Sequence, residues 1–496
     1  MSRTHHADRT PSGPLLDPPM PPGTGRLLLL LVAAAFVVIL NETLMSVALP
    51  TLMAEFAVTA ATAQWLTTGF MLTMAVVIPF TGWLLTRLPL RAVFVLAMSA
   101  FLAGTVLAGL APVFPLLIAG RVVQATGTAL MMPLLMTTVM TVVPLARRGT
   151  TMGLISVVIS VAPAAGPTVG GVILEHLTWR WMFGAVAPIA LAALVAGSVW
   201  VRDVTERRRV PLDVVSGLLS AAGFAALVFG LSSIGEAAAG HAPAPPALPI
   251  AVGAALLAVF AVRQLRLGDA ALLDLRVLAR PGYTVPLAVL LVGMMALFGT
   301  LILLPIYLQS VLGWDAQATG LALLPGGLVM AALGYLAGRA YDRVGPRPLV
   351  LPGAALAAAA LWGYALLLDP TTTAGLVTAL HVTLSAGLAL LFGPLMTSAL
   401  GALDRPQYPH GSALLSTLQQ VAAATGTAVF ITLLTVGTAA GLDAGVGRSE
   451  ATMRGVHTAF LTGAAIFLVA AAGTLRVRRP AAPDAPAHAP DTPAAG

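Results

Sequence analysis

Asn41 and Glu42 stand side by side in "ILNETLMSVALP", late in an apolar run that starts at Leu27 and is long enough to cross a bilayer. A charged side chain at bilayer depth costs at least about 2.5–3.5 kcal/mol, so an acid in such a place is a functional candidate from the outset. Burial disfavours an ionised carboxyl and a nearby cation favours it; a group held between these influences can load and release a proton. The candidate cation is Arg121, with Gln124 one turn on. Glu42 precedes Pro50 by eight residues and Arg121 follows Pro115 by six. At about 1.5 Å per residue they lie roughly 12 and 9 Å from the same boundary. Two roles fit Glu42: proton carrier, or structural acid kept neutral and bonded to another helix or to Ser46, one turn along its own. Arg121 either tunes Glu42, directly or through Gln124 and water, or caps carbonyls and holds helices together.

The remaining chemistry-bearing residues are sparse. His381 lies inside an apolar stretch, and an imidazole with an ordinary pKa near 6.5 is either a second protonation site or a buried neutral ring with one hydrogen bond. Met71, Met131, Met132, Phe298, Phe392, Gln419 and Gln420, if they face inward with Gln124, would line a pocket suited to varied apolar ligands; otherwise they face lipid or other helices. The chain has no Cys and no Lys, which removes disulfides, thiolate metal sites, cysteine nucleophiles and any phosphate loop ending in Lys-Ser/Thr. His5 and His6 lie in a polar, Pro-rich tail, so no metal or cofactor site is expected. The acids, bases and metal ligands an enzyme would bring together are scattered through loops.

The elements that must position these groups are membrane spans. Only 9% of the residues are charged against 58% hydrophobic, whereas a soluble domain carries about 25% charged residues. Windows of about 20 residues give fourteen apolar spans, near 27–49, 65–85, 92–110, 116–143, 151–174, 181–201, 212–234, 248–267, 283–309, 318–339, 349–368, 375–400, 412–436 and 456–475. With the N-terminus inside, 22 of the 26 Arg fall in the tails and even-numbered connections, three (Arg180, Arg448, Arg454) fall outside, and Arg121 is within a span. The positive-inside rule therefore puts both termini in the cytoplasm and accounts for the net charge of +7 without nucleic acid.

An internal repeat is legible in "GWLLTRLPLR" and "GRAYDRVGPR", where Gly82, Arg87 and Arg91 match Gly338, Arg343 and Arg347 at a constant separation of 256 residues. Equivalent loops eight spans apart imply two six-span halves with two additional spans between them. The expected organisation is a tail at 1–26, an N-terminal half at 27–201, a linker with two spans at 202–282, a C-terminal half at 283–476 and a second tail at 477–496.

Four stretches give the chain a family resemblance. "GRAYDRVGPR" carries Asp342, Arg343, Gly345 and Arg347 in register with the loop motif of the major facilitator superfamily. "GRVVQATGTALMMP" resembles its fourth-span motif through Arg121, Gln124 and Gly127, and "APAAGPTVGG", followed by "WRWMF", resembles the fifth-span antiporter motif through Gly166, Pro167, Gly170 and Gly171. "LNETLMSVALP" is similar to the first-span motif of the fourteen-span drug:proton antiporter branch, with Asn41 where Asp is usual, a form met in lincomycin-type resistance exporters. The first loop departs from the pattern at Thr86 and Pro89.

The resemblance implies an all-α major facilitator fold, lateral adjacency of Glu42 and Arg121, and alternating access in which a lipophilic drug or secondary metabolite leaves as protons enter. It implies that the glycines of span five control leak and rocking, where their spacing alone would indicate ordinary membrane packing. Asp342, Arg343 and Arg347 would form a charge network that gates the cytoplasmic side, or else cap helices. The expected setting is the cell membrane, with a monomer in contact with lipid, a small substrate and protons. An uptake or proton-independent carrier of the same fold is the alternative; a membrane enzyme or a sensor fits less well.

Overall fold

The long apolar runs become helices because a backbone in hydrocarbon must satisfy its hydrogen bonds within its own segment. The computed structural model describes residues 23–201, 203, 212–238 and 245–477, apart from the side chains of a few positions that include Ser46, Pro163, Pro167 and Glu236. Both expected tails and most of the "RDVTERRR" connection lie outside the described residues. The N-terminal half comprises α1 (Thr24–Phe56), α2 (Ala60–Arg87), α3 (Leu90–Gly109), α4 (Phe114–Val142), α5 (Arg148–His176) and α6 (Trp181–Trp200). Next come α7 (Val214–Ala238) and α8 (Ala247–Leu267). The C-terminal half comprises α9 (Pro281–Ser310), α10 (Ala316–Val344), α11 (Arg347–Leu367), α12 (Ala374–Gly401), α13 (Tyr408–Asp443) and α14 (Arg448–Gly473).

Thirteen of these helices contain an apolar stretch long enough to cross a bilayer, and α5 completes the set of fourteen at 29 residues. Every expected span is present, but several are longer. Pro50 does not end the first helix, which runs on to Phe56, so Glu42 lies fourteen residues from that end rather than eight. Its depth is about 21 Å from the helix end at 1.5 Å per residue. A proline inside a membrane helix removes one backbone donor, and neighbours can absorb the loss.

The halves meet through α5 against α10 and α12, and through α13 against α2 and α4. Glycines allow the closest approach. A Cβ on Gly153 would stand 2.9 Å from the Gly334 carbonyl oxygen, and one on Gly149 would stand 2.6 Å from the Gly338 carbonyl oxygen. At the other end of α5, Gly166 and Gly170 pack instead on Thr43 and Leu44 of α1. The fifth-span stripe is therefore a contact within one half, and a different set of glycines on the same helix makes the contact between halves. Gly171 meets nothing within 4 Å and belongs to neither surface.

The additional pair has a definite position. α7 covers the seam where α2 meets α13, with Phe224 and Val228 against Ala75 and Val421, and the Trp65 and Phe229 rings stacked at 6.0 Å. α8 packs on α7, and Arg263 closes the hairpin by donating to both oxygens of Asp213 at 2.8 and 3.0 Å.

Candidate functional site

The N-terminal half contains a buried polar chain. Arg121, 1% exposed on α4, donates from Nη1 to Asn41 Oδ1 at 3.1 Å and to Gln124 Oε1 at 2.7 Å. Gln124 Nε2 donates to Thr105 Oγ1 at 2.8 Å, and Thr105 donates onward to the Phe101 carbonyl at 2.6 Å. The guanidinium lies over the Phe70 ring, 4.1 Å from its centroid, a geometry worth about 2 kcal/mol when desolvated. One helical turn sets Gln124 beside Arg121, and a Cβ at Gly104 would overlap the Gln124 backbone, so α3 comes close enough to bring Thr105 into the chain.

Glu42 is half-buried beside this chain and feels the Arg121 charge, but no ion pair within 4.0 Å joins them. Sequence reasoning left open whether Arg121 meets Glu42 directly or through Gln124; here the guanidinium bonds Asn41 and Gln124, and not Glu42. The physical reason is helical phase, since the face with Val38, Asn41 and Met45 is buried while Glu42 is about 100° further round. Two donors in the chain lack acceptors, Arg121 Nε and Asn41 Nδ2. A buried donor left unmet costs about 1–3 kcal/mol, so the site is short of acceptors with a carboxyl next to it.

The other candidates divide. Gln419, Phe392, Met294, Met330 and Met396 converge with Ser156 and Ile159 of α5 on a small pocket between the halves. Gln420 sits nearby, its Nε2 3.7 Å from Met74 Sδ on α2. Met71 is 42% exposed, one turn beyond Met74. Phe298 and Met132 are half-buried, whereas Met131 is wholly buried in helix packing and Gln124 is committed to Arg121 and Thr105. His381 lies between α12 and α10, against Gly326. The sequence reading missed Ser156, Met294, Met330 and Met396; Met330 could have been found, because it stands 256 residues after Met74, the separation of the repeated loops.

The loop acid Asp342 does not join Arg343 and Arg347 in a network. It accepts from Gly149 N at 2.7 Å, Thr150 N at 2.7 Å and Thr150 Oγ1 at 2.6 Å, capping the start of α5 across the interface between halves. Arg347 donates to the Leu475 and Val477 carbonyls at 2.9 and 3.2 Å, and Arg343 is exposed. Orphan amides at a helix start attract the carboxylate, and carbonyls of the turn that follows α14 accept from the guanidinium. Thr137 and Ser412 bond at 2.6 Å, and Arg148 donates to Tyr408 Oη at 3.3 Å. The hydrogen bonds described between the halves lie in the Arg-rich part of the molecule or near its middle.

Comparison with known proteins fits this geometry. The model of the Major Facilitator Superfamily matches residues 31–427. The chain belongs to this superfamily. Lincomycin resistance protein LmrB of Listeria monocytogenes is 38% identical over 451 residues, covering 90% of this chain and 95% of that protein. The LmrB of Bacillus subtilis is 37% identical over 82% of this chain and 85% of its own length. The multidrug resistance protein B homolog of Mycobacterium tuberculosis is 33% identical over 82% of this chain and 75% of its own length. Among solved structures, the human organic anion transporter MFSD10 superposes with a TM-score of 0.63 at 16% identity, covering 92% of this chain and all of that one, and so shows the same fold. The proton:xylose symporter XylE does so with a TM-score of 0.60 at 15% identity, covering 91% of this chain and 95% of that one. The protein is a multi-pass membrane transporter of this superfamily and not an enzyme.

Proposed function

We propose that the transporter exports lipophilic drugs or secondary metabolites in exchange for protons, with Glu42 as the proton carrier and the Arg-rich ends, with both termini, in the cytoplasm. The resistance proteins named above support the direction and the substrate class, and the distribution of Arg supports the orientation. The single observation behind the proton step is the Arg121 geometry: the guanidinium is bonded to Asn41 and Gln124, while Arg121 Nε and Asn41 Nδ2 wait for an acceptor beside Glu42.

This arrangement fits the proton-loaded form, because a neutral carboxyl offers Arg121 little. Loss of the proton turns a weak acceptor into a charged one for both unmet donors and draws Arg121 toward Glu42. The contact between α1 and α4 then differs between the two protonation states, which is what coupling requires. The lining around Ser156, Met294, Met330, Phe392, Met396 and Gln419 takes residues from both halves but encloses almost no free space here, so a ligand enters as the halves part, and the flexible Met side chains then suit ligands of varied shape.

The test is efflux of ethidium from everted vesicles under an imposed pH gradient, parent against Glu42→Gln. Gradient-driven flux is lost in the variant while ethidium binding persists. Equal coupling in both proteins would remove Glu42 from the proton path, and pH-insensitive counterflow in the parent would make the protein a proton-independent carrier.

A further inference from the structure

The two halves can be aligned by contacts as well as by loop sequence. In α2 and α3 the separation is 256 residues, which takes Phe70 to Gly326, Ala97 to Gly353 and Phe101 to Ala357. In α4 it is 260 residues, because α4 starts at Phe114 and α12 at Ala374, and Gly127 then falls on Gly387. The packing agrees: Gly127 presses between the Ala97 carbonyl and the Phe101 amide, and Gly387 between the Gly353 carbonyl and the Ala357 amide. The same separation carries Arg121 onto His381. Each lies seven residues inside its helix, about 10 Å from the end. Each also touches the equivalent residue of the neighbouring helix, Arg121 over Phe70 and His381 against Gly326, where a Cβ would stand 2.7 Å from Nε2.

The partners of Arg121 have no counterparts. Gln124 falls on Leu384 and Thr105 on Leu361, and α9, which stands in the place of α1, contains no Asp, Glu or Asn. His381 is therefore a titratable ring in an apolar copy of the Arg121 site, 6% exposed, with Nδ1 unpartnered. The other ionisable groups on the helices around α12 are accounted for elsewhere. Arg339, Asp342 and Arg343 of α10, Arg347 of α11, Arg148 of α5, and Tyr408 and His410 of α13 lie at the Arg-rich ends, while Glu175 and His176 of α5 and Asp443 of α13 lie at the opposite ends. Tyr283, Tyr307 and Tyr341 bond Gly411, Asp369 and Ser398, Tyr335 lies under Arg339, and the Tyr364 ring stacks on Phe460. None hydrogen-bonds to His381 or acts on it electrostatically.

We infer that His381 is a second proton site, in the C-terminal half, at the position equivalent to Arg121. The inference rests on the proton-exchange reading above and predicts one proton position in each half. Proton uptake at His381 creates the one buried cation of the C-terminal half among the described residues, and its nearest relief is rotation toward the hydroxyl of Ser385, which also borders Gly326.

The test combines two readouts. Ring-labelled histidine NMR of the full chain in detergent, parent against His381→Asn, identifies the His381 signal, and its titration is followed from about pH 8 down to the lowest pH at which the chain stays folded. Protons moved per ethidium are then counted in proteoliposomes. The expected result is a titrating His381 signal, a count lower by one in His381→Asn, and a shifted titration in Gly326→Ala, which crowds the ring and adds no charge. A signal that stays flat across the range, with an unchanged count in His381→Asn, would overturn the inference and leave the Glu42 reading standing. Coupling that survives Glu42→Gln and disappears in His381→Asn would do the reverse.

Discussion

Asp342→Asn isolates the contact that closes the Arg-rich ends. The carboxylate accepts three hydrogen bonds of 2.6–2.7 Å from Gly149 and Thr150 at the start of α5. Asn keeps the shape and one carbonyl acceptor, but it removes the charge that faces the helix N-terminus and turns an NH₂ group toward a donor. Charge against a helix terminus is worth up to about 2 kcal/mol in a partly buried site, and a hydrogen bond to a charged group about 1.5–3 kcal/mol, so a net loss of about 2 kcal/mol is reasonable once the surviving bond is counted. At 1.4 kcal/mol per factor of ten, the balance between closed and open Arg-rich ends shifts about 30-fold toward open. The chain has no Cys, so spin labels on Arg147→Cys and Val344→Cys, both at exposed positions across the interface, report the separation without background. The long-distance population should rise in Asp342→Asn and stay at the parent level in an Arg343→Gln control. An unchanged distribution would show that the helix cap does not hold the halves together.

Gly166→Ala puts a methyl into Thr43 Oγ1, so gradient-driven flux should fall at least tenfold and recover in part with Thr43→Ala, while Gly171→Ala, in open space, leaves flux unchanged. Arg121→Lys keeps the charge but loses the unmet Nε donor and the planar group that lies over Phe70; ethidium binding persists and the pH profile of flux flattens, a result that an unchanged profile would contradict. The bonds from Arg263 hold the Asp213 carboxyl at about 2, below its ordinary 3.8, with Ser216 assisting. A depressed carboxyl adds stability above its unfolded value and loses it as pH falls through the folded one. Asp213→Asn should therefore lower thermal stability by about 1 kcal/mol near neutrality, as befits a pair at the surface, and the gap should close only as pH falls from about 4 toward 2.

The fourteen spans were legible because hydropathy is a local property. What escaped was lateral geometry. Asn41 and Glu42 read alike along the chain, and only the packing of α1 decides which of them faces Arg121. Asp342 looked like one member of a charge cluster with Arg343 and Arg347, because one loop carries all three. In space Asp342 caps the start of α5, Arg347 turns to the carbonyls that follow α14, and Arg343 stays exposed. The Met-lined pocket was half found for the same reason: Gln419 and Phe392 were recognised by residue type, whereas Met294, Met330 and Met396 differ from many lipid-facing residues only by the direction in which their helices turn them.

On the proposal that Glu42 carries the proton, the two surfaces of α5 connect that event to the contact between the halves. Near one end its glycines grip Thr43, the residue after Glu42, and near the other Gly149 and Gly153 grip α10 beside the Asp342 cap. Gly149 and Gly166 are seventeen residues apart on one helix, about 25 Å at 1.5 Å per residue. A helix fixed this closely at both ends cannot slide without breaking glycine contacts, so a displacement of α1 at Thr43 is accommodated by tilting α5. Tilt about its middle moves Gly149 and Thr150 relative to Asp342, and three short hydrogen bonds are intolerant of such movement. This is a reason for glycines in both stretches of α5. A Cβ at Gly166 or at Gly149 would separate the helix from one of its two partners and leave the proton site and the seal mechanically independent.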